Sequence, residues 1–206
     1  MPKQALSVSQ LLAQEKETLQ LSPEWAEAFG EPEAVGTWLV WGNSGNGKTS
    51  FALLLAKELC RHGVVLYNSL EEGVSLSMMN AVERCGLAEV NRRVRFVSED
   101  MDVLLERLQK RRSPRMVIID SFQYTQMNYR QYLKFKEALP KHLLVFISHA
   151  DGNLPASRSA KSVMYDASLK VWIEGYRAHS KGRFIGERGY LNIWDEGAKR
   201  YWGNEQ

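Results

Sequence analysis

Eight consecutive residues, Gly42-Asn43-Ser44-Gly45-Asn46-Gly47-Lys48-Thr49, constrain the fold of this chain more than any other stretch. They fit G-x-x-x-x-G-K-[ST], the phosphate-binding loop. Their surroundings suit the chemistry. Thr37-Trp38-Leu39-Val40-Trp41 is β-branched and aromatic, which predicts a strand. Ser50 to Cys60 is helix-forming and apolar, with Gly63 as a stop. Strand, glycine-rich turn and helix let successive backbone N–H groups converge on one anion, with the positive end of the helix dipole behind them. The pattern assigns phosphate binding to Gly42 through Ser50. It sends Lys48 to the β- and γ-phosphates and the Thr49 hydroxyl to Mg²⁺. ATP and Mg²⁺ are the expected ligands.

The chain has 206 residues, enough for one α/β domain with a sizeable core. Its net charge of +3 permits a nucleic-acid partner without arguing for one. Cys60 and Cys85 lack C-x-x-C or zinc spacing and read as buried thiols of a reducing compartment. No apolar run reaches membrane-spanning length and the N-terminus lacks the apolar core of a signal peptide, so a cytoplasmic protein without a membrane partner is expected.

Residues 1–36 form a helical lead-in. Ser7 to Gln10 reads as a capping box, and Ser22-Pro23-Glu24 opens a second short helix that Gly30 ends. This lead-in either packs on the domain's flank or docks as an arm on a neighbouring subunit. Residues 37–206 form the domain proper. Strands are expected at Val64–Tyr67, Val94–Val97, Met116–Asp120 and Leu143–His149. Helices are expected near 74–84, 99–112 and 126–139. Strands alternating with helices imply a mainly parallel central sheet flanked by helices. Beyond Leu169 the pattern changes. Leu169–Glu174, Arg183–Ile185, Tyr190–Trp194 and Lys199–Trp202 read as C-terminal antiparallel strands.

Three strand ends carry candidate chemistry. Asp120 follows four apolar residues, so a buried strand delivers its carboxylate to the carboxyl edge of the sheet, where it can hold the water shell of Mg²⁺. Glu71 and Glu72 follow another strand; Glu71 is the expected base for the attacking water, although acids there also suit a helix N-terminus. His149 ends a third strand, where it can sense the γ-phosphate or serve the structure. Lys110-Arg111-Arg112 with Arg115 reads as a helix C-terminus complementing its dipole.

With these parts in order, the chain resembles the RecA-like ATPases, most closely the bacterial RadA recombination ATPase and more distantly the DnaB-type replicative helicase. Five blocks carry the resemblance: Gly42–Thr49, Leu66–Glu72, Val117–Gln123, Ser148–Gly152 and Lys181–Gly186. It implies that Glu71 is the catalytic base, Asp120 the Walker B aspartate, and His149 a group on the γ-phosphate side. It further implies that Lys181 and Arg183 reach into the ATP site of a neighbouring subunit, as an arginine finger does. The segment differs from RadA's in having Gly182 and an extra Ile185. The chain has no counterpart of RadA's zinc ribbon or protease-like domain, nor of the helicase's N-terminal domain. Asp151–Ser162, with Arg158 and Lys161, falls where the family's DNA-binding loop lies and reads as a flexible loop for single-stranded DNA. The expected function is an oligomeric, Mg-dependent ATP hydrolase acting on DNA. An ATP-dependent switch with a protein partner is the alternative. A small-molecule kinase is disfavoured, because no Arg-rich lid stands out.

Overall fold

The computed structural model describes residues 5–203. The first four residues of the lead-in and the last three of the domain lie outside them. Helices α1 (Val8–Leu12) and α2 (Pro23–Phe29) lead into β1 (Gly36–Gly42) and α3 (Lys48–Leu59). Then come β2 (Val65–Ser69), α4 (Leu76–Arg84), β3 (Val94–Val97), α5 (Met101–Gln109), β4 (Met116–Asp120) and α6 (Tyr129–Ala138). The chain continues with β5 (Leu143–Asp151), β6 (Leu154–Pro155), α7 (Arg158–Asp166), β7 (Leu169–Glu174), β8 (Arg177–Ser180), β9 (Tyr190–Asn192) and α8 (Asp195–Trp202).

The strands form one sheet in the order β3-β2-β4-β5-β1-β7-β8-β9, with β6 paired to β5. From β3 to β7 all neighbours are parallel; β8 and β9 continue antiparallel. The sheet thus has the expected architecture. Its central strands are apolar runs because both faces are covered. Trp38, Val40, Tyr67, Ile118 and Val145 pack on the face of α2, α3 and α4. Their alternates Leu39, Trp41, Val117, Ile119 and Phe146 pack on the face of α5, α6 and α7.

In the lead-in, Leu19, Trp25, Ala28 and Phe29 are buried, whereas Leu6, Val8, Leu11 and Leu12 are exposed. Trp25 and Phe29 pack against Phe51 of α3, the first ring tilted and the second edge-on. The buried Glu58 carboxylate accepts from the Ser22 backbone N–H at 2.6 Å and from the Ser22 hydroxyl at 2.9 Å. Ser22 therefore does not cap its own helix through its side chain.

Three expectations need correction. Lys199–Trp202 is not a strand but the end of α8. Asp195 and Glu196 sit at its positive end, Lys199 and Arg200 at its negative end, and the small Gly197 and Ala198 face inward. Arg183–Ile185 forms no strand. The chain after it returns to α2, where the N–H groups of Gly186, Arg188 and Gly189 donate to the Ala28 and Glu27 carbonyls at the helix C-terminus. The antiparallel partner of β7 is instead β8. Finally, Asp151–Ser162 is not a flexible loop: Ala150 and Asp151 pair with Pro155 and Leu154, and Arg158 and Lys161 lie on α7.

Replacing Glu58 removes both bonds to Ser22. Charge-assisted bonds of this kind contribute about 1.5–3 kcal/mol, so Glu58→Ala is expected to lower the unfolding free energy by about 2 kcal/mol in a urea titration.

Candidate functional site

β1, β2, β4 and β5 run parallel, so their carboxyl ends meet at one edge. The register places Gly42 beside His149 and Ser69 beside Asp120. Gly42 is also paired with Ile173 of β7, and a Cβ there would lie 2.4 Å from the Ile173 carbonyl oxygen. Only glycine allows the strand to pass that close before the loop turns.

The N-terminus of α3 opens directly from this loop. It has no side-chain cap and no acid in its first turn. Its N–H groups and positive dipole end are left for an anion. Asn46 fixes the loop: its amide donates to the Ser44 carbonyl at 3.2 Å, and its Oδ1 accepts from Gly175 N–H at 2.8 Å. Asn43 donates weakly to the Gly152 carbonyl at 3.4 Å. The Lys48 ammonium lies back over the loop, 3.0 Å from the Asn43 carbonyl. Burial depresses its pKa, against the pull of Glu71 and Asp120.

A cleft of about 510 Å³ lies over the loop. Ser44, Gly45, Gly47, Lys48, Thr49 and Ser50 line its floor, and Glu71, Asp120 and His149 its wall. The residues singled out from the sequence at three separate strand ends are thus brought to one place. His149 Nε2 is 2.8 Å from Glu71 Oε2. His149 is itself positioned by Gln123, whose Oε1 accepts from the His149 N–H at 3.2 Å and whose amide donates to Ser148 Oγ at 2.9 Å.

Asp120 is 7% exposed, and Tyr67 donates to its Oδ2 at 2.6 Å. Burial raises the Asp120 pKa to about 6; the Tyr67 bond opposes this, and Glu71 and Glu72 reinforce it. Beside it Ser69 Oγ, Ser121 Oγ and Glu72 Oε2 are buried without a hydrogen-bond partner. A desolvated carboxylate among orphaned oxygens fits a hydrated divalent cation, which would restore both charge balance and hydrogen bonds.

Lys181 and Arg183 are not brought to this cleft. β8 runs antiparallel to β7, and Lys181 N–H bonds to the Lys170 carbonyl at the start of β7. Both side chains are exposed at the opposite end of the sheet from the phosphate loop.

The sequence reading missed Tyr67, Arg84 and Tyr176. Glu174 pairs with Arg177 across a two-residue turn, Gly175-Tyr176, with φ of 52° and 60°. That turn sets the Tyr176 ring against Gly47 of the phosphate loop. Arg84, Ser50 and Tyr176 line both the cleft and an adjoining apolar cavity of about 470 Å³ formed with Leu54, Cys85, Ile193 and Trp194. The local signal for Tyr176 was the Glu-Gly-Tyr-Arg turn between alternating strands.

Because Asp120 titrates near 6 when folded, against about 4 when unfolded, its charge opposes folding increasingly as pH rises from 4 to 6, and fully above that. Asp120→Asn keeps an acceptor for Tyr67. It is expected to stabilise the nucleotide-free protein by about 1–3 kcal/mol near neutral pH, with the gain vanishing below about pH 4 in denaturant titrations.

No protein-family model matches the chain. No curated protein matches it either. Among solved structures it is similar to a KaiC-like protein from the hyperthermophilic archaeon Pyrococcus horikoshii, with a TM-score of 0.59 and 14% identity, over 86% of this chain and 99% of that one. At that identity the likeness concerns the fold alone, and it places the chain's mostly parallel, helix-flanked sheet in the RecA-like architecture.

Proposed function

We propose that this chain binds and hydrolyses ATP with Mg²⁺, as an oligomer that acts on DNA. The observation that carries the reading is the convergence of Lys48, Glu71, Asp120 and His149 around an uncapped helix N-terminus. In this reading the loop N–H groups and Lys48 hold the β- and γ-phosphates. Thr49 and Asp120 hold Mg²⁺, which when bound neutralises charge on the phosphate oxygens. Glu71 takes the proton of the attacking water, and His149 orients the Glu71 carboxylate through the 2.8 Å contact. Lys181 and Arg183, remote from their own cleft, act toward a neighbouring copy, so hydrolysis depends on assembly.

The adjoining cavity suits the base. Tyr176, Ile193, Trp194 and Leu54 offer apolar area, and Arg84 a planar cation that stacks on aromatic faces. DNA contact falls to Arg158 and Lys161, now as the first turn of a helix. A nucleotide-gated switch with a protein partner uses the same cleft.

Glu71→Gln is expected to retain ATP affinity and lose hydrolysis by about 10²-fold or more, whereas Lys48→Ala weakens binding itself. Equilibrium binding beside phosphate release separates the two, and wild-type turnover in Glu71→Gln would remove it as base. Single-stranded DNA should stimulate hydrolysis on an oligomer, an effect that fades with salt; indifference to DNA moves the reading to the switch. ATP is expected to shield the half-buried Cys85 from maleimide, while tripolyphosphate is not. Cys60 is buried and stays silent. Equal shielding by both would place the base elsewhere.

A further inference from the structure

The end of the sheet opposite the cleft is built from the loops that enter β2, β3, β4 and β5. Arg61 enters β2, and Arg92 and Arg93 enter β3. Arg111, Arg112 and Arg115 enter β4, and Lys141 enters β5. All of these side chains are exposed. The four loops, residues 60–64, 91–93, 110–115 and 140–142, hold no Asp or Glu. Because the whole chain carries only +3, the rest of the molecule is net acidic. The parallel topology gathers cations that are far apart in sequence, since β3, β2, β4 and β5 are neighbours in that order. At about 4.8 Å per strand they span roughly 14 Å.

Local roles account for little of this charge. Arg93 donates to the Cys60 carbonyl at 3.0 Å, and Arg61 lies 3.9 Å from Glu58. Among the described residues, Arg92, Arg111, Arg112, Arg115 and Lys141 have no side-chain hydrogen bond or ion pair to the protein. The negative end of the α5 dipole is met by Arg107 in its last turn and by Lys110 at its C-cap, with Arg111 and Arg112 following; it does not account for Arg115, Arg92 or Lys141, because its influence fades beyond the terminus. Arg112 sits at a φ of 67°, so a left-handed turn aims the chain around a notch of about 280 Å³. Arg95, Arg112, Arg115 and His62 line it without an acid.

The chemistry of this face selects a partner. Its cations are nearly all arginine, whose planar fork bonds phosphate oxygens two at a time. No large exposed apolar side chain lies in the four loops, so there is nothing to insert into a lipid surface. They contain no Phe, Tyr or Trp either, only the imidazoles of His62 and His142, so they offer little of the aromatic surface on which successive single-stranded bases stack. The entry to β1 carries Glu31 and Glu33, and Glu137 closes α6, which bounds the basic face on that side.

We infer that the loops entering β2, β3, β4 and β5 form a binding face for a nucleic-acid duplex, held through its phosphates without sequence preference. The face lies at the opposite pole from the nucleotide cleft and is independent of Arg158 and Lys161. A duplex bound here leaves the cleft open.

The test uses a fluorescein-labelled DNA duplex and fluorescence anisotropy on the full chain without nucleotide, between about 50 and 200 mM salt. The variant is R111Q with R112N and R115Q, asparagine being suited to the left-handed position. It is expected to weaken binding at least tenfold and to flatten the log–log salt slope by about 2 to 3. R92Q with K141Q serves as a second variant, with the same direction of effect and a slope change of about 2, should the first fail to fold. Wild-type affinity and slope in a folded charge variant overturn the inference. So does failure of the wild-type chain to bind duplex at low salt, whether or not it binds vesicles of anionic lipid or a single strand. Because no nucleotide is present, each result stands apart from the outcome for ATP hydrolysis.

Discussion

The parallel hydrogen-bond ladder joining β2, β4, β5 and β1 is the constraint on which the rest of the molecule depends. Parallel neighbours must share a direction, so each strand starts at one edge of the sheet and ends at the other. Residues at strand ends therefore meet across large sequence distances. Ser69 opposite Asp120 and Gly42 opposite His149 are consequences of register. The cost is that every strand in the middle must be apolar on both faces, which is why Val117, Ile118 and Ile119 precede Asp120. A carboxylate at the end of such a strand is desolvated by construction, and its raised pKa is the electrostatic mark of that position.

The two edges of the sheet have divided the charge between them. At the carboxyl edge, Glu71, Glu72 and Asp120 face one lysine and an unneutralised helix N-terminus, an arrangement that holds both signs within one cleft. At the amino edge, the entry loops of four adjacent strands carry cations alone. Neither distribution follows from net charge, which at +3 describes neither pole. The sheet is the element that converts scattered residues into two fields of different character.

Most of the central architecture was legible from local pattern. Apolar runs bounded by turn residues marked β1, β2, β3, β4 and β5, and the glycine-rich motif after β1 marked where an anion would sit. Asp120, Glu71 and His149 were visible because a polar residue that closes an apolar run must emerge at a sheet edge. The C-terminal region was read less well. Lys199-Arg200-Tyr201-Trp202 has the aromatic content of a strand, yet its placement depends on Trp202, whose indole N–H donates to the Gly175 carbonyl at 3.1 Å. That contact belongs to the fold rather than to the segment. Arg177–Ser180 is too short and too polar to announce a strand, and becomes one because β7 offers an open edge.

By itself the sequence determined the periodicities, the phosphate-binding motif and the identity of the polar residues at the strand ends, because each of these is encoded within a few neighbouring positions. Only the tertiary structure decided which of them meet. It turned Tyr176 onto Gly47 through a two-residue hairpin and placed the Tyr67 hydroxyl on Asp120. It carried Lys181 and Arg183 to the far end of the sheet along β8, and it converted Arg158 and Lys161 from loop to helix. The physical reason is the same in each case. Strand direction and pairing are set by long-range hydrogen bonds and packing, which no short window of sequence contains.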